Sequence, residues 1–407
     1  MIASLRHQPP VHSPLTPGAL AAGVRTMLGG PAAAGTAAAR LERWLATEFG
    51  AREVLLTDSG TSALTLALRA AARLGATPVA LPAYCCYDIA TAAAGADVPV
   101  LLYDVDPATL GPDEASLCRA LEQGARTVVV AHLYGVPVDI ERVRRLAAGA
   151  GALLVEDAAQ GTGIRFGDRP AGALGSLGVL SFGRGKGMTG GGGGALLAND
   201  ERGLRALATV RAERTPAAGR GLRPLAASVA QWILARPALY GLPAALPFLG
   251  LGETHYREPA APGAPPAFIL GTLERTRALA AEEAAVRRRH AARLLDVLAA
   301  LPAGSLRPVA GAPGAVPGWL RLPVVVLGDA SQDEGRLAAG RRLGIMPGYP
   351  RALADLPALR VRLANPGEGL AGARCLTDRL LTLPTHGRLR AGDLDRLETW
   401  LREAVSP

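Results

Sequence analysis

Residues 54–63 read Val54-Leu55-Leu56-Thr57-Asp58-Ser59-Gly60-Thr61-Ser62-Ala63. The opening run has the length and composition of a buried strand. The polar turn that follows carries hydroxyls suited to capping a helix, and the helix it opens carries Leu64, Leu66, Leu68 and Ala71. Similar short apolar runs follow at Val79–Leu81, Val98–Tyr103, Val128–Ala131, Leu153–Val155, Val179–Phe182 and Ala195–Leu197. Most are separated by helical patterns such as Asp113–Gln123 and Asp139–Ala148. Alternation of this kind predicts an α/β domain with a mostly parallel central sheet flanked by helices.

Working outward, a helix is expected over Thr36–Phe49, preceded by an arm rich in proline (Pro9, Pro10, Pro14, Pro17). The chain turns irregular and proline-rich again from Arg257 to Pro266, then takes up a long helical pattern from about Leu270 to Leu301. A strand-like run, Leu320–Leu327, and a terminal helix near Ala391–Ala404 complete a smaller α/β lobe. The expected division is an arm at 1–35, a large domain at 36–268, and a linking helix with a small C-terminal domain at 269–407.

With 407 residues, 49% of them apolar, the chain can bury a substantial core without staples. Four cysteines (Cys85, Cys86, Cys118, Cys375) and an N-terminus without a secretory pattern point to a reducing cytoplasm. The most apolar stretch, Leu225 to Gly252, contains Arg236 and is interrupted by Pro237, Pro243 and Pro247, so it reads as buried or interfacial helix pieces rather than a membrane span. A net charge of +9 raises nucleic acid as a partner, but the arginines are scattered and no aromatic-basic stripe accompanies them. Small phosphorylated molecules fit the charge equally well. The densest basic run, Arg287–Arg289, follows Glu282 and Glu283 at helical spacing and reads as a solvated face laced by i,i+4 pairs.

One lysine, Lys186, stands among 44 basic residues. Arginine serves everywhere else, so position 186 demands an amine, which can condense with a carbonyl as a guanidinium cannot. Lys186 lies in Ser181-Phe182-Gly183-Arg184-Gly185-Lys186-Gly187, after a strand and before the run Gly190–Gly194. Glycines there let backbone approach a bulky ligand. A nucleotide P-loop fails on two positions: Leu180 stands where its first glycine belongs, and Gly187 where its Ser/Thr belongs. At Gly60-Thr61-Ser62, backbone N–H groups, hydroxyls and the helix dipole converge on an anion site; a plain helix cap is the alternative. The strand Leu153–Val155 runs into Glu156-Asp157-Ala158-Ala159-Gln160, bringing a carboxylate to the sheet's carboxyl edge, where ligands of open α/β sheets bind. Such a carboxylate can keep a pyridine nitrogen protonated; capping of the next segment is its structural alternative. Cys85-Cys86 lacks the spacing and histidines of a metal or redox motif and reads as core or pocket lining, and no metal site is expected. His132 reads equally as a ligand contact or a structural strand-end histidine.

Taken in order, Gly60-Thr61-Ser62-Ala63, Asp104-Val105-Asp106, His132-Leu133-Tyr134-Gly135, Glu156-Asp157-Ala158-Ala159-Gln160 and Ser181-Phe182-x-x-x-Lys186 resemble the motifs of the DegT/DnrJ/StrS family of sugar aminotransferases. The resemblance covers Thr36 to Asp200, and extends more loosely to Leu383-Pro384-Thr385-His386. It implies a fold-type-I pyridoxal 5'-phosphate (PLP) enzyme, a homodimer with active sites at the subunit interface. By position, Lys186 would hold the cofactor as a Schiff base, Asp157 its pyridine nitrogen, Gln160 the neighbourhood of the ring, and Gly60, Thr61, Ser62 and Ser181 the phosphate.

Three positions depart from the family pattern. The residue stacking on the ring falls at Cys86, with Tyr84 and Tyr87 as alternatives; a glutamate of the loop after the lysine is replaced by Gly192; and the Asn-Tyr-Arg segment lent across the dimer is absent, with His255-Tyr256-Arg257 as a substitute. The implied reaction is ping-pong transfer of an amino group from an amino acid, glutamate by resemblance, to a keto sugar, nucleotide-linked by the same resemblance, with Lys186 as both anchor and proton shuttle. A PLP-dependent sugar dehydratase is disfavoured because the family's dehydratases carry histidine at the lysine position. A cofactor-binding regulatory or scaffold protein without turnover is the rival from another class. A desulfurase using Cys375 finds no support in the sequence around it.

Overall fold

Seven of these runs form one sheet in the computed structural model, which describes residues 6–245, 254–302, 304–327, 334–365 and 369–403. They are β1 (Glu53–Thr57), β2 (Val79–Pro82), β3 (Val100–Tyr103), β4 (Thr127–Ala131), β5 (Leu153–Asp157), β6 (Leu177–Ser181) and β7 (Gly194–Ala198). The order across the sheet is β1-β7-β6-β5-β4-β2-β3. Pairing is parallel from β6 through β5, β4 and β2 to β3, while β7 runs against both β1 and β6. Parallel neighbours need a crossover, and helices supply it; β6 and β7 are joined by a loop alone, which forces the reversal.

Both faces of the sheet are covered, which is why the strands read as unbroken apolar runs rather than alternating ones. On one face Leu55, Val79, Leu81 and Val129 pack with α3 (Gly60–Arg73), α4 (Asp88–Ala96) and the helix Glu201–Val210. On the other face, Val54, Leu56, Leu180 and Leu197 meet Leu41 and Leu45 of α2 (Gly30–Phe49) and Leu270 of the helix Ala267–Thr276. The same face continues over Val128, Val130 and Leu154, which bury the helices Glu114–Glu122 and Ile140–Gly149.

The arm is not irregular throughout. Pro17–Leu28 forms a helix, α1, with proline in its first turn and Thr16 Oγ1 accepting the Ala19 N–H at 3.2 Å. The long helical pattern from Leu270 divides into Ala267–Thr276 and Ala280–Ala299, joined by a 3-10 turn at Arg277–Leu279. In the second helix, Arg287 does pair with Glu283 at i,i+4, but the pair is buried, with Arg287 1% exposed, so this part of the run is not a solvated face.

The apolar stretch after Leu225 begins within a helix at Leu222–Leu234 and breaks before Pro237–Ala244. Leu222, Ile233, Leu234 and Leu242 are exposed, so these pieces are not buried in the single chain. The end of that stretch, from residue 246 through 252, lies outside the described residues, as does Ala404 of the expected terminal helix, which is seen over Ala391–Glu403. Among the described residues no helix is long and apolar enough to cross a membrane.

The second sheet contains β8 (Leu306–Pro308), β9 (Leu322–Val326), β10 (Met346–Pro347) and β11 (Leu380–Leu383), antiparallel in the order β8-β9-β11-β10. The N-terminal segment ties this lobe to the lysine loop. Gln8 N–H donates to the Arg342 carbonyl, His386 Nε2 to the Pro9 carbonyl (2.7 Å), and Gly185 N–H to Ser13 Oγ (2.8 Å).

Burial, reinforced by Arg287, Arg321 and Arg388, pushes the His386 pKa down to about 3, although its bond to Pro9 works the other way. The folded state therefore holds His386 neutral while the unfolded chain protonates it below about pH 6.5. Stability is expected to fall as pH drops from 7 to 5, His386 accounting for roughly 2 kcal/mol. Urea unfolding across that range, compared with His386→Gln, checks it: the variant should lose less stability on acidification, and an equal loss would remove the effect from this residue.

Candidate functional site

Parallel register brings the chemistry to one edge. Ala131, Asp157 and Val179 are paired across β4, β5 and β6, so the turns that follow these strands open on the same side of the sheet. One cavity there is lined by Gly60, Thr61, Asp157, Gln160, Ser181 and Lys186, that is, by all but one of the residues picked out from the sequence. Ser62 is the exception. Its backbone N–H and hydroxyl are taken up by the hydroxyl of Ser59, the N-cap of α3, at 3.0 and 2.9 Å.

Gly60 sits where the first turn of α3 meets the end of β6. A Cβ on Gly60 would lie 2.6 Å from the Ser181 Cβ, so only glycine lets the Ser181 hydroxyl stand beside this helix N-terminus. With the Thr61 hydroxyl beside it, the turn offers the donors and dipole an anion requires. Opposite, Lys186 enters from the β6–β7 loop, where Gly185, Gly191 and Gly193 adopt positive φ.

Asp157 Oδ1 accepts the Ala159 N–H at 3.0 Å. That is the capping contact expected of a plain Asp, but it uses one oxygen only. Burial raises the Asp157 pKa, opposed by the Ala159 N–H and the charge of Lys186. A buried carboxylate in that position gains most from a cationic N–H partner in the cavity. Its neighbour Glu156 meets the opposite fate. Despite full burial its pKa is lowered, because His132 Nε2 bonds its Oε1 at 3.0 Å and the N–H groups of Leu174 and Gly175 bond its Oε2 at 2.7 and 3.0 Å. His132 Nδ1 accepts the Val138 N–H (3.1 Å), so the ring proton belongs on Nε2 and both nitrogens are occupied. His132 thus lines the cavity with its ring while serving the scaffold.

Gln160 is fixed from both lobes: Oε1 accepts the Tyr134 N–H at 3.0 Å, and Nε2 donates to the Tyr349 hydroxyl at 2.9 Å. Sequence reasoning missed Tyr349. It lies 189 residues from Gln160, and no local pattern signals such a contact. Of the three candidates for the ring's stacking partner, only Cys86 lines the cavity, together with Cys85. The Tyr84 hydroxyl instead accepts the Tyr349 N–H (2.8 Å), and Tyr87 reaches the Arg351 carbonyl (3.4 Å). Asp88 and Ile89 of α4 also line the cavity and were not anticipated. Tyr256 packs against the main core and the Arg257 carbonyl accepts Thr91 Oγ1 (2.8 Å), which places the His255-Tyr256-Arg257 segment beside α4 of its own chain. A larger cavity, about 540 Å³, lies beyond Ser181 against Trp44, Met188 and Arg277, and contains neither the lysine nor Asp157.

The model of the DegT/DnrJ/EryC1/StrS aminotransferase family matches residues 20–216. An L-glutamine:2-deoxy-scyllo-inosose aminotransferase from Micromonospora echinospora is 34% identical over 182 residues, 45% of this chain and 42% of that relative, so the match spans less than half of the relative's length. Among solved structures, S. venezuelae DesV in complex with a ketimine intermediate superimposes with a TM-score of 0.72 at 24% identity, covering 95% of this chain and 94% of that one. An E. coli GDP-4-keto-6-deoxy-D-mannose-3-dehydratase with bound hydrated PLP gives 0.75 at 17%, covering 99% and 100%. At such identities the likeness concerns the fold, which is that of fold-type-I PLP-dependent transferases. The donor set fits the cofactor: hydroxyls and a helix N-terminus for a phosphate, a buried carboxylate for a pyridine N–H, and an amine for an aldehyde.

Burial raises the Cys86 thiol to about 12, so at pH 8 only about one part in ten thousand is thiolate. Iodoacetamide at pH 8 is expected to label Cys86 in the folded protein more than about 100-fold more slowly than in urea. Peptide mass mapping reads the rates, and comparable labelling would mean that the thiol is not held in this environment.

Proposed function

We propose that this chain, whose residues 20–216 match the model of the DegT/DnrJ/EryC1/StrS aminotransferase family, is a PLP-dependent aminotransferase that moves an amino group from an amino acid to a ketone of the sugar type. The observation that carries this reading is the meeting of the chain's one lysine with Asp157 in a single cavity at the carboxyl edge of the sheet. Glutamate or glutamine is the proposed donor, the latter in keeping with the name of the Micromonospora relative. A nucleotide-linked keto sugar and a free cyclitol ketone are the acceptors to compare.

Bound in the cavity, PLP supplies an aldehyde that condenses with amines and a ring that takes up the electrons released at an amine's α-carbon. Lys186 Nζ would hold that aldehyde and, when freed by an incoming amine, would take up a proton at the donor's α-carbon and give it back. Asp157 would keep a proton on the pyridine nitrogen and so favour the uptake of electrons by the ring. Gly60, Thr61 and Ser181 would hold the phosphate at the start of α3. Gln160, clamped by Tyr134 and Tyr349, fixes the spacing between the large-domain site and the small lobe. A homodimer in the cytoplasm, with His255-Tyr256-Arg257 reaching a neighbour's phosphate, belongs to this proposal and is open to sedimentation analysis. Lysine at position 186 speaks against the dehydratase reading.

Borohydride reduction of PLP-loaded protein is expected to attach the cofactor to Lys186, as read by peptide mass mapping, and Lys186→Arg should abolish the label. Glutamate should bleach the cofactor absorbance and release 2-oxoglutarate. Asp157→Asn should retain the label while slowing that half-reaction by about 100-fold or more. An unlabelled lysine would end the proposal. Labelling without bleaching by glutamate, glutamine or aspartate would favour a cofactor-binding regulator or scaffold.

A further inference from the structure

The helix Leu222–Leu234 turns an apolar face outward. Leu222, Ala226, Ala230, Ile233 and Leu234 recur three and four residues apart and are exposed, and Arg223 is the one exposed polar side chain in the helix. A helix on the surface of a globular protein shows the reverse, with charge outside and leucines within. Here the inner face is already occupied. Leu225 packs against the cluster of Met27, Phe268 and Ile269, and a Cβ on Gly191 of the lysine loop would come within 2.1 Å of Ser228 Oγ. The helix therefore cannot roll to bury its outer leucines in its own chain. The next helix, Pro237–Ala244, packs on the first and extends the apolar surface through Leu242, 47% exposed against 69% for Leu222.

Charge along these helices has one sign. Between Glu213 and Glu253 the sequence holds Arg214, Arg220, Arg223 and Arg236 and no Asp or Glu. α1, which packs beside the helix Leu222–Leu234, lies in a stretch with no carboxylate before Glu42 and adds the exposed Arg25 and Leu28. Arg220, Arg223 and Arg236 are exposed, and the Arg236 guanidinium lies 4.3 Å over the ring of the half-buried Trp232. Exposed leucines, flanking arginines and a tryptophan at the edge are the composition of helices that lie in a lipid headgroup layer. With 13 and 8 residues, the two helices are too short to cross the hydrocarbon core and can only lie along it. A second copy of this chain is a poorer match. A twofold contact sets a patch against itself, so arginines would meet arginines with no carboxylate from these helices between them.

We propose that the helices Leu222–Leu234 and Pro237–Ala244 form a docking surface for an anionic phospholipid membrane, with Leu222, Ile233, Leu234 and Leu242 entering the acyl boundary and Arg220, Arg223 and Arg236 meeting the lipid phosphates. The inference does not depend on the aminotransferase reading. Lipid covers an apolar area that is unfavourable in water, and the arginines gain a counter-charge that their own helices do not supply. The two contributions act in the same direction, but only the second is screened by salt. Because Ser228 backs onto Gly191, a membrane held on this surface lies on the far side of the helix from the lysine loop.

The test is flotation of the full chain with vesicles. Phosphatidylcholine vesicles containing about 30% phosphatidylglycerol are expected to carry the protein, and pure phosphatidylcholine vesicles to carry about tenfold less. Raising the salt to about 1 M should weaken binding to the anionic vesicles severalfold. Ile233→Glu combined with Leu234→Glu, and separately Arg220→Gln combined with Arg223→Gln, should each lower partitioning by about tenfold or more. All four positions are exposed, so the arginine variant keeps the test open if the apolar one fails to fold. Val361→Glu, at an apolar residue 81% exposed on another element, should float as the wild type does. The inference is overturned if the anionic vesicles do not carry the wild type, or if both double variants float as it does. It is also overturned if the apolar variant sediments at a lower mass than the wild type, since the face would then join two copies of the chain.

Discussion

The reversal of β7 is the constraint on which the site depends. Asp157 and Ser181 end parallel strands, and each parallel connection must cross back over the sheet before the chain can return to the same edge. Because β7 runs against β6, the loop that joins them never leaves the carboxyl edge, and Lys186 is delivered there directly. The loop's length is taken up by positive-φ glycines and by close packing. A Cβ on Gly191 would lie 2.1 Å from Ser228 Oγ, and one on Gly192 would lie 2.9 Å from Ile269 Cδ1. A Cβ at Gly192, where the family pattern puts a glutamate, would press only on the end of the Ile269 side chain.

Alternation along β5 then divides the labour between two adjacent carboxylates. Successive strand residues face opposite sides. Glu156 turns inward, where a histidine and two backbone N–H groups satisfy it and lower its pKa. Asp157 turns to the cavity, where burial raises its pKa and only one of its oxygens is bonded to the backbone. The first group is spent on holding β5 to the loop around Leu174, while the second keeps capacity for a ligand. His132 contributes to this division from the scaffold side, since its nitrogens are committed to Glu156 and Val138.

Much of this was legible in the sequence because it is local. Strands buried on both faces leave continuous apolar runs, a serine cap and a glycine mark the start of α3, and a lone lysine among arginines advertises a demand for an amine. Tertiary contacts left no such trace. The 3-10 turn at Arg277–Leu279 contains neither glycine nor proline, so the two helices it joins read as one. α1 escaped notice because the prolines before it look like an irregular arm, although Pro17 in fact opens the helix. Arg287 followed the spacing of a solvated ion pair, and only the folded chain buries that pair beneath the N-terminal segment.

That segment explains why a basic, proline-rich arm is worth ordering. Its backbone carbonyls at Pro9 and His12 accept from His386 and Arg287, and Ser13 accepts from the lysine loop. Carbonyl oxygens are weak partners for a guanidinium compared with a carboxylate. The arm therefore positions Arg287 without neutralising it. Had Asp or Glu stood at position 12 or 13, the same crossing would be more stable and the charge behind Lys186 would be cancelled.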